Sequence, residues 1–331
     1  MKKIHIIHTG GTIGSERKSD GTIDLFDVSL ESRATDGCIC SSSSPFNVLS
    51  ENMSPKYWTI LLNHIKSLDL SDIDALFITH GTDTLAYTTN IFSLLLNNLH
   101  IPVFFISSNS PLTDSSSNGY DNFSKAMDMV MSDGEALTPN DLPRNNTLKG
   151  VFVPYKNSNG EMIVHKGENL LQSATFSDDF FSVNYSYSSA DNADNAGDIN
   201  NVEAILKTLE EHTNTSHFVD NISKLDAKIL VIKPHPGISY NAFNPNEFDA
   251  ILHETYHSFT ATDTKDGGGS LIEFASRMDS NEKRIYLAPI SSSLDKNYTT
   301  ISHLLESKNI IPLYDMSFEM AYGYLTLLNS F

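Results

Sequence analysis

The chain has 331 residues, 40% of them hydrophobic, and a formal net charge of -19. That length exceeds what one ordinary core organises and predicts two domains. The acidic surface repels phosphate backbones and argues against a nucleic-acid partner, and no apolar stretch approaches the roughly 18 residues that a membrane span needs.

The first residues, Met1 to His8, resemble the front of a signal peptide, but the apolar run is short and interrupted by His5 and His8. It reads as a first strand over 4–7, in a cytoplasmic protein. Cys38 and Cys40 are the only cysteines. One residue apart, they are poorly placed to bridge each other, which suits a reducing compartment. The serine run 41–44 reads as loop. Ser54 and Pro55 open a helix as N-cap and first-turn proline, with Trp58, Leu61, Leu62 and Ile65 on one face. A strand over 73–78, a helix over 85–99, a strand over 101–106 and a helix over 120–131 follow. This alternation predicts a parallel sheet with helices on both faces. Residues 150–154 and 161–165 read as a hairpin.

From 186 to about 200 the composition shifts to Ser, Asp, Asn and Ala, the mark of a linker or exposed insertion. Acidic helical sequence follows around 202–211. A second α/β set runs through 228–232, 248–252, 271–278, 284–288 and 301–305 to a last helix from about Ser317. The expected fold class is therefore α/β: a larger N-terminal doubly wound sheet domain (1–185), a linker or insertion (186–222) and a smaller C-terminal α/β domain (223–331).

Ligands of open α/β sheets bind beyond the carboxyl ends of strands, and two strand ends here are unusual. The first strand runs into Thr9-Gly10-Gly11-Thr12-Ile13-Gly14, and the strand over 73–78 into Thr79-His80-Gly81-Thr82-Asp83-Thr84. Glycine lets the backbone turn sharply and a ligand approach main-chain N–H groups. Threonine supplies a hydroxyl on a stiff χ1. Such a hydroxyl is a weak nucleophile without a base, a role a lysine of lowered pKa fills. Aspartate beside a hydroxyl also binds an ammonium group. His80 reads as a packing and hydrogen-bonding residue.

The segments HTGGTIG (8–14) and THGTDTLAYT (79–88), about 70 residues apart, resemble the two signatures of the L-asparaginase and glutaminase family. The resemblance extends through Met53 to Trp58, Pro102-Val103 and Ser117 to Asn122, covers most of residues 1–180 and, more weakly, 228–331, and is nearest the cytoplasmic type I branch. It implies hydrolysis of L-asparagine to L-aspartate and ammonia, with Thr12 attacking the side-chain amide and an acyl-threonine ester forming. Thr82 and Lys166 would form the proton relay beside Asp83. Gly11, Ser50, Glu51, Gly81, Thr82, Asp83 and Ser108 would hold the substrate, with Ser50 and Asp83 on its α-carboxylate and α-amino groups. No metal or organic cofactor is implied, and the family's habit predicts a homodimer or homotetramer.

The chain departs from that pattern in two places. Thr22 stands where the family's mobile loop carries a tyrosine, and residues 255–260 replace a glycine-rich loop that often completes a neighbouring subunit's site. Rival readings are a zinc site at His253-Glu254-Thr255-Tyr256-His257, whose HExxH pattern needs a helix; nucleotide binding by residues 8–14, which lack a P-loop lysine; a catalytically degenerate binding protein; and the asparaginase-like subunit of a tRNA-dependent amidotransferase, which usually carries an extra N-terminal domain.

Overall fold

The computed structural model describes residues 1–25, 30–33, 37–132, 148–183, 200–213, 218–278, 283–292 and 298–330. In chain order its elements are β1 (Lys2–Ile7), β2 (Ser15–Arg17), β3 (Ile23–Leu25), β4 (Cys38–Ser43), α1 (Pro55–Ser67), β5 (Ala75–Thr79), α2 (Leu85–Leu95), β6 (Pro102–Ile106), α3 (Gly119–Met131), β7 (Gly150–Lys156) and β8 (Met162–Lys166), then α4 (Val202–Thr213), α5 (Phe218–Asn221), β9 (Ile229–Ile232), β10 (Ala250–Glu254), α6 (Leu271–Ser276), β11 (Ile285–Ile290), α7 (Thr299–Leu305), β12 (Ile310–Tyr314) and α8 (Phe318–Leu328). The chain divides into two units. The first joins Met1–Tyr187 with Val219–Lys224, and the second joins Ser188–Phe218 with Leu225–Phe331. Residues 186–199 and 214–217 of the expected linker lie outside the described residues, while α4 and α5 fall within its bounds and are helix.

The first unit holds a six-stranded sheet in the order β4-β1-β5-β6-β7-β8. All neighbours are parallel except the β7–β8 hairpin. β5 and β6 read as continuous apolar runs because both of their faces are covered, and every residue in each is buried. α1 lays Trp58, Leu61, Leu62 and Ile65 inward, and the Trp58 indole donates to Thr88 Oγ1 of α2 at 2.9 Å. Pro55 supplies the first turn of α1, whereas the Ser54 hydroxyl makes no capping bond.

The expected loop at 41–44 belongs instead mostly to edge strand β4. Its inward positions carry no large apolar side chain, which hid it from periodicity. Cys38 and Cys40 pack on the core, with free thiols 3.8 Å apart. On the other face the His5 ring bonds Ser41 and Ser43, both at 2.8 Å, and Ser43 bonds His64 of α1 at 2.7 Å. A polar ladder thus holds this edge.

The second unit is built on a parallel sheet, β12-β11-β10-β9. Leu287, Phe274, Tyr240 and Ile251 sit at its centre. The Ser317 hydroxyl caps α8 by accepting from the Met320 N–H at 3.2 Å. The His253–His257 pattern begins on strand β10 rather than on a helix, so its two histidines do not share a helix face. The fully buried His253 donates from Nδ1 to the Glu254 carbonyl (2.7 Å) and accepts the Tyr240 hydroxyl at Nε2 (2.8 Å). No helix among the described residues is long and apolar enough to cross a membrane.

Three buried imidazoles tie stability to pH. Burial pushes His80, His165 and His253 down from 6.5 to about 4. The unfolded chain then binds protons that the native state refuses. Stability is full above pH 6.5 and falls as pH drops from 6.5 towards 4, by up to about 1.4 kcal/mol per pH unit for each ring. The urea midpoint is expected to be clearly lower at pH 5 than at pH 7.5. An unchanged midpoint would mean that the rings titrate normally.

Candidate active site

The strand order reverses at β1. From there the chain passes to β4 on one side and then, through α1, to β5 on the other. In a doubly wound sheet this is the point where a crevice opens at the carboxyl ends. The two unusual loops leave the sheet here, because Ile7 pairs with Ile78 in the parallel ladder. Just beyond this pair, the strands are stitched by side chains. Thr9 N–H donates to Thr79 Oγ1 at 3.0 Å, and the Thr9 hydroxyl donates to the Thr79 carbonyl. A third segment joins them: Val48 N–H donates to the Thr9 carbonyl (3.0 Å), and Gly11 N–H to the Val48 carbonyl (2.9 Å).

Glycine makes the convergence possible. Gly11 has φ 80° and ψ -177°, a region essentially closed to other residues. A Cβ on it would sit 2.1 Å from the Gly81 nitrogen, and a Cβ on Gly81 would sit 2.4 Å from Ser50 Oγ. The backbones of the two loops therefore touch at Gly11 and Gly81, with Ser50 against them.

Thr12 opens a short 3-10 turn, half-buried. The turn is closed behind it by the Ser15 hydroxyl and the Gly14 N–H, which both donate to the Gly11 carbonyl, at 2.8 and 3.0 Å. Among the described residues neither the hydroxyl nor the N–H of Thr12 or Thr82 is engaged in a hydrogen bond, so these groups remain available to a ligand. The buried Ser50 hydroxyl donates to Asp83 Oδ2 at 2.9 Å and accepts the Asp83 N–H at 3.2 Å. Thr84 Oγ1 secures the Ser50 carbonyl at 2.9 Å. Asp83 and Glu51 are exposed, Glu51 on the 3-10 turn that carries Ser50. Ser108 is buried beyond β6, and its hydroxyl donates to the Ser110 carbonyl at 2.8 Å. His80 is fully buried, and its Nδ1–H holds the Gly81 carbonyl at 2.7 Å.

Two expected members, Lys166 and Thr22, form no hydrogen bond or ion pair with this cluster among the described residues. Lys166 is exposed at the end of β8, opposite Phe152. Among the described residues it makes no hydrogen bond or ion pair to Thr82 or Asp83, and its charged neighbour is Glu168. That carboxyl is pushed up, first by burial, with Lys166 opposing. Thr22 is exposed in the β2–β3 hairpin, its hydroxyl donating to Asp20 at 2.6 Å. Arg17 anchors that hairpin to Asp114 at 2.9 Å. From the segment after β8, the Gln172 side chain reaches the second loop, its Nε2 donating to the Asp83 carbonyl at 2.6 Å. Nothing in the run Leu170-Leu171-Gln172-Ser173 signals that role in sequence.

A family model described as asparaginase, N-terminal, matches residues 3–194 and so contains both loops and Ser50. The chain belongs to the asparaginase family. Among curated relatives it is 25% identical to a glutamyl-tRNA(Gln) amidotransferase subunit of Methanococcus maripaludis strain C6, over 97% of this chain and 74% of that protein. It is 32% identical to L-asparaginase 1 of Escherichia coli K12 over 38% of this chain and 39% of that protein. Among solved structures, the thermostable L-asparaginase of Thermococcus kodakarensis shares the fold with a TM-score of 0.65 at 21% identity, covering 97% of this chain and 90% of that one. The probable cytoplasmic L-asparaginase of Campylobacter jejuni gives 0.65 at 19%, covering 98% and 93%.

Proposed function

We propose that this asparaginase-family protein hydrolyses the side-chain amide of L-asparagine, releasing L-aspartate and ammonia through an ester on Thr12. The observation that supports this best is the contact of Gly11 with Gly81, which sets two threonine-bearing loops side by side over the Ser50–Asp83 pair. In this reading Asp83 and Glu51 face the α-ammonium group, and Ser50 the α-carboxylate. The Thr12 oxygen adds to the amide carbon. The negative oxygen that forms meets the N–H groups of Thr12 and Thr82, and donors of this kind are worth about 2.7–4 kcal/mol each. The amide nitrogen takes up the proton that the Thr12 hydroxyl gives up on attack, and leaves as ammonia. Water then adds to the ester, and aspartate departs as the Thr12 hydroxyl is restored.

Glutamine carries one more methylene, a difference of about 1–3 kcal/mol in a pocket, so the two amides belong in one assay. Likeness along nearly the whole chain to an amidotransferase component favours a second use of the same cleavage, in which ammonia from an amide passes to a partner enzyme. A glutamine preference of tenfold or more in kcat/KM would favour that use. The exposed positions of Thr22 and Lys166 support a third reading, a binding protein that turns nothing over. Ammonia release from each amide by purified protein is the test, and none from either would move the assignment to that third reading. The protein is proposed to act in the cytoplasm as a homodimer or homotetramer.

Among the described residues no hydrogen bond or ion pair joins the exposed Lys166 to Thr82 or Asp83. Lys166→Met is expected to change kcat/KM for asparagine by less than threefold. A loss of a hundredfold or more would place Lys166 in the reaction.

A further inference from the structure

Asp83 stands on an exposed loop, yet its main chain and its carboxylate are all held. Its N–H meets Ser50 Oγ, its carboxylate receives the Ser50 hydroxyl, and its carbonyl receives Gln172 Nε2. The segment that presents Gln172 is itself fixed. Leu171 N–H donates to the Phe181 carbonyl at 3.0 Å, Leu170 bridges Ser182, and Asn90 Nδ2 donates to the Leu170 carbonyl at 2.9 Å. Asn90 lies on the buried face of α2, the helix that begins directly after the Asp83 loop. The hydrogen bonds thus close a circuit: α2 holds the Gln172 segment, and Gln172 holds the loop that leads into α2.

We propose that Gln172 is a positioning residue for substrate. It fixes the Asp83 carbonyl and so aims the Asp83 carboxylate at the α-ammonium group. The proposal rests on the amidohydrolase reading above. A neutral amide suits the task. It donates strongly to a carbonyl, yet adds no positive charge beside the place where an ammonium group must bind.

The test combines amide hydrogen exchange on the free protein with steady-state kinetics. Gln172→Met keeps the length and removes the donor. It is expected to speed exchange at least tenfold over residues 80–85, leave the remaining peptides at wild-type rates, and raise KM for asparagine about tenfold or more with kcat within threefold. Gln172→Lys keeps an N–H donor of similar reach and is expected to restore slow exchange over 80–85. Wild-type exchange in Gln172→Met would overturn the proposal. Faster exchange with an unchanged KM in an active enzyme would overturn its link to substrate. Wild-type protein that releases no ammonia is the failure of the functional reading, and the exchange data then judge the hold on the loop separately.

Discussion

Replacing Thr12 by alanine is expected to lower ammonia release from asparagine by at least about a thousandfold, the scale on which loss of a nucleophile acts. The fold is expected to survive, because the Thr12 hydroxyl takes part in no hydrogen bond among the described residues and the turn is closed by Gly14 and Ser15. Unfolding free energies from urea titration within about 0.5 kcal/mol of wild type would confirm that, a range typical of substitutions that break no packed contact. Thr12→Ser sharpens the reading. It keeps the oxygen and removes the methyl that stiffens χ1, so a loss nearer tenfold is expected. Release of ammonia by Thr12→Ala at a tenth of the wild-type rate or more would assign the attack to another group, and Thr82, on the touching loop, would be the next to replace.

What could be read from sequence and what could not divide along physical lines. The two strand-end loops were legible because their chemistry is local. Glycine beside threonine after an apolar run states both a sharp turn and a hydroxyl in six residues, and neither β1 nor β5 needs a partner to be seen. The pairing of Ser50 with Asp83 was legible only through family resemblance, since 33 positions separate them. β4 escaped periodicity because serine and cysteine bond and pack through small side chains. β12 was not assigned, its Ile310-Ile311-Pro312-Leu313-Tyr314 run carrying a proline and no alternation. Gln172 was invisible because its role depends on the segment after β8 lying against the loop after β5, and no periodicity or turn signal encodes that placement. Lys166 fits the family pattern by type and order, but the side-chain direction of its strand leaves it in solvent.

Gly11→Ala is expected to have the second-largest effect, for a reason that needs no assumption about substrate. The backbone conformation alone costs about 1–3 kcal/mol for a residue with a side chain. The new Cβ would also lie 2.1 Å from a backbone nitrogen and 2.4 Å from the Gly81 Cα. These are main-chain atoms, which cannot rotate aside as a flexible side chain would, so the two loops must part. A displacement of about 1 Å at a reacting centre costs on the order of a hundredfold in rate, and the variant is expected to lose at least that much activity together with about 3 kcal/mol of stability, the conformational cost and an overpacking penalty combined. Gly21→Ala separates the two causes. Gly21 also has a positive φ, 86°, but a Cβ there meets nothing within 4 Å. It is expected to cost only about 1–2 kcal/mol and to leave turnover within threefold. Equal losses in the two variants would mean that backbone conformation, and not the touching of the loops, makes glycine necessary at position 11. A Gly11→Ala enzyme with wild-type KM and kcat would show that the loops stand apart in solution, and the site built on their contact would fall with it.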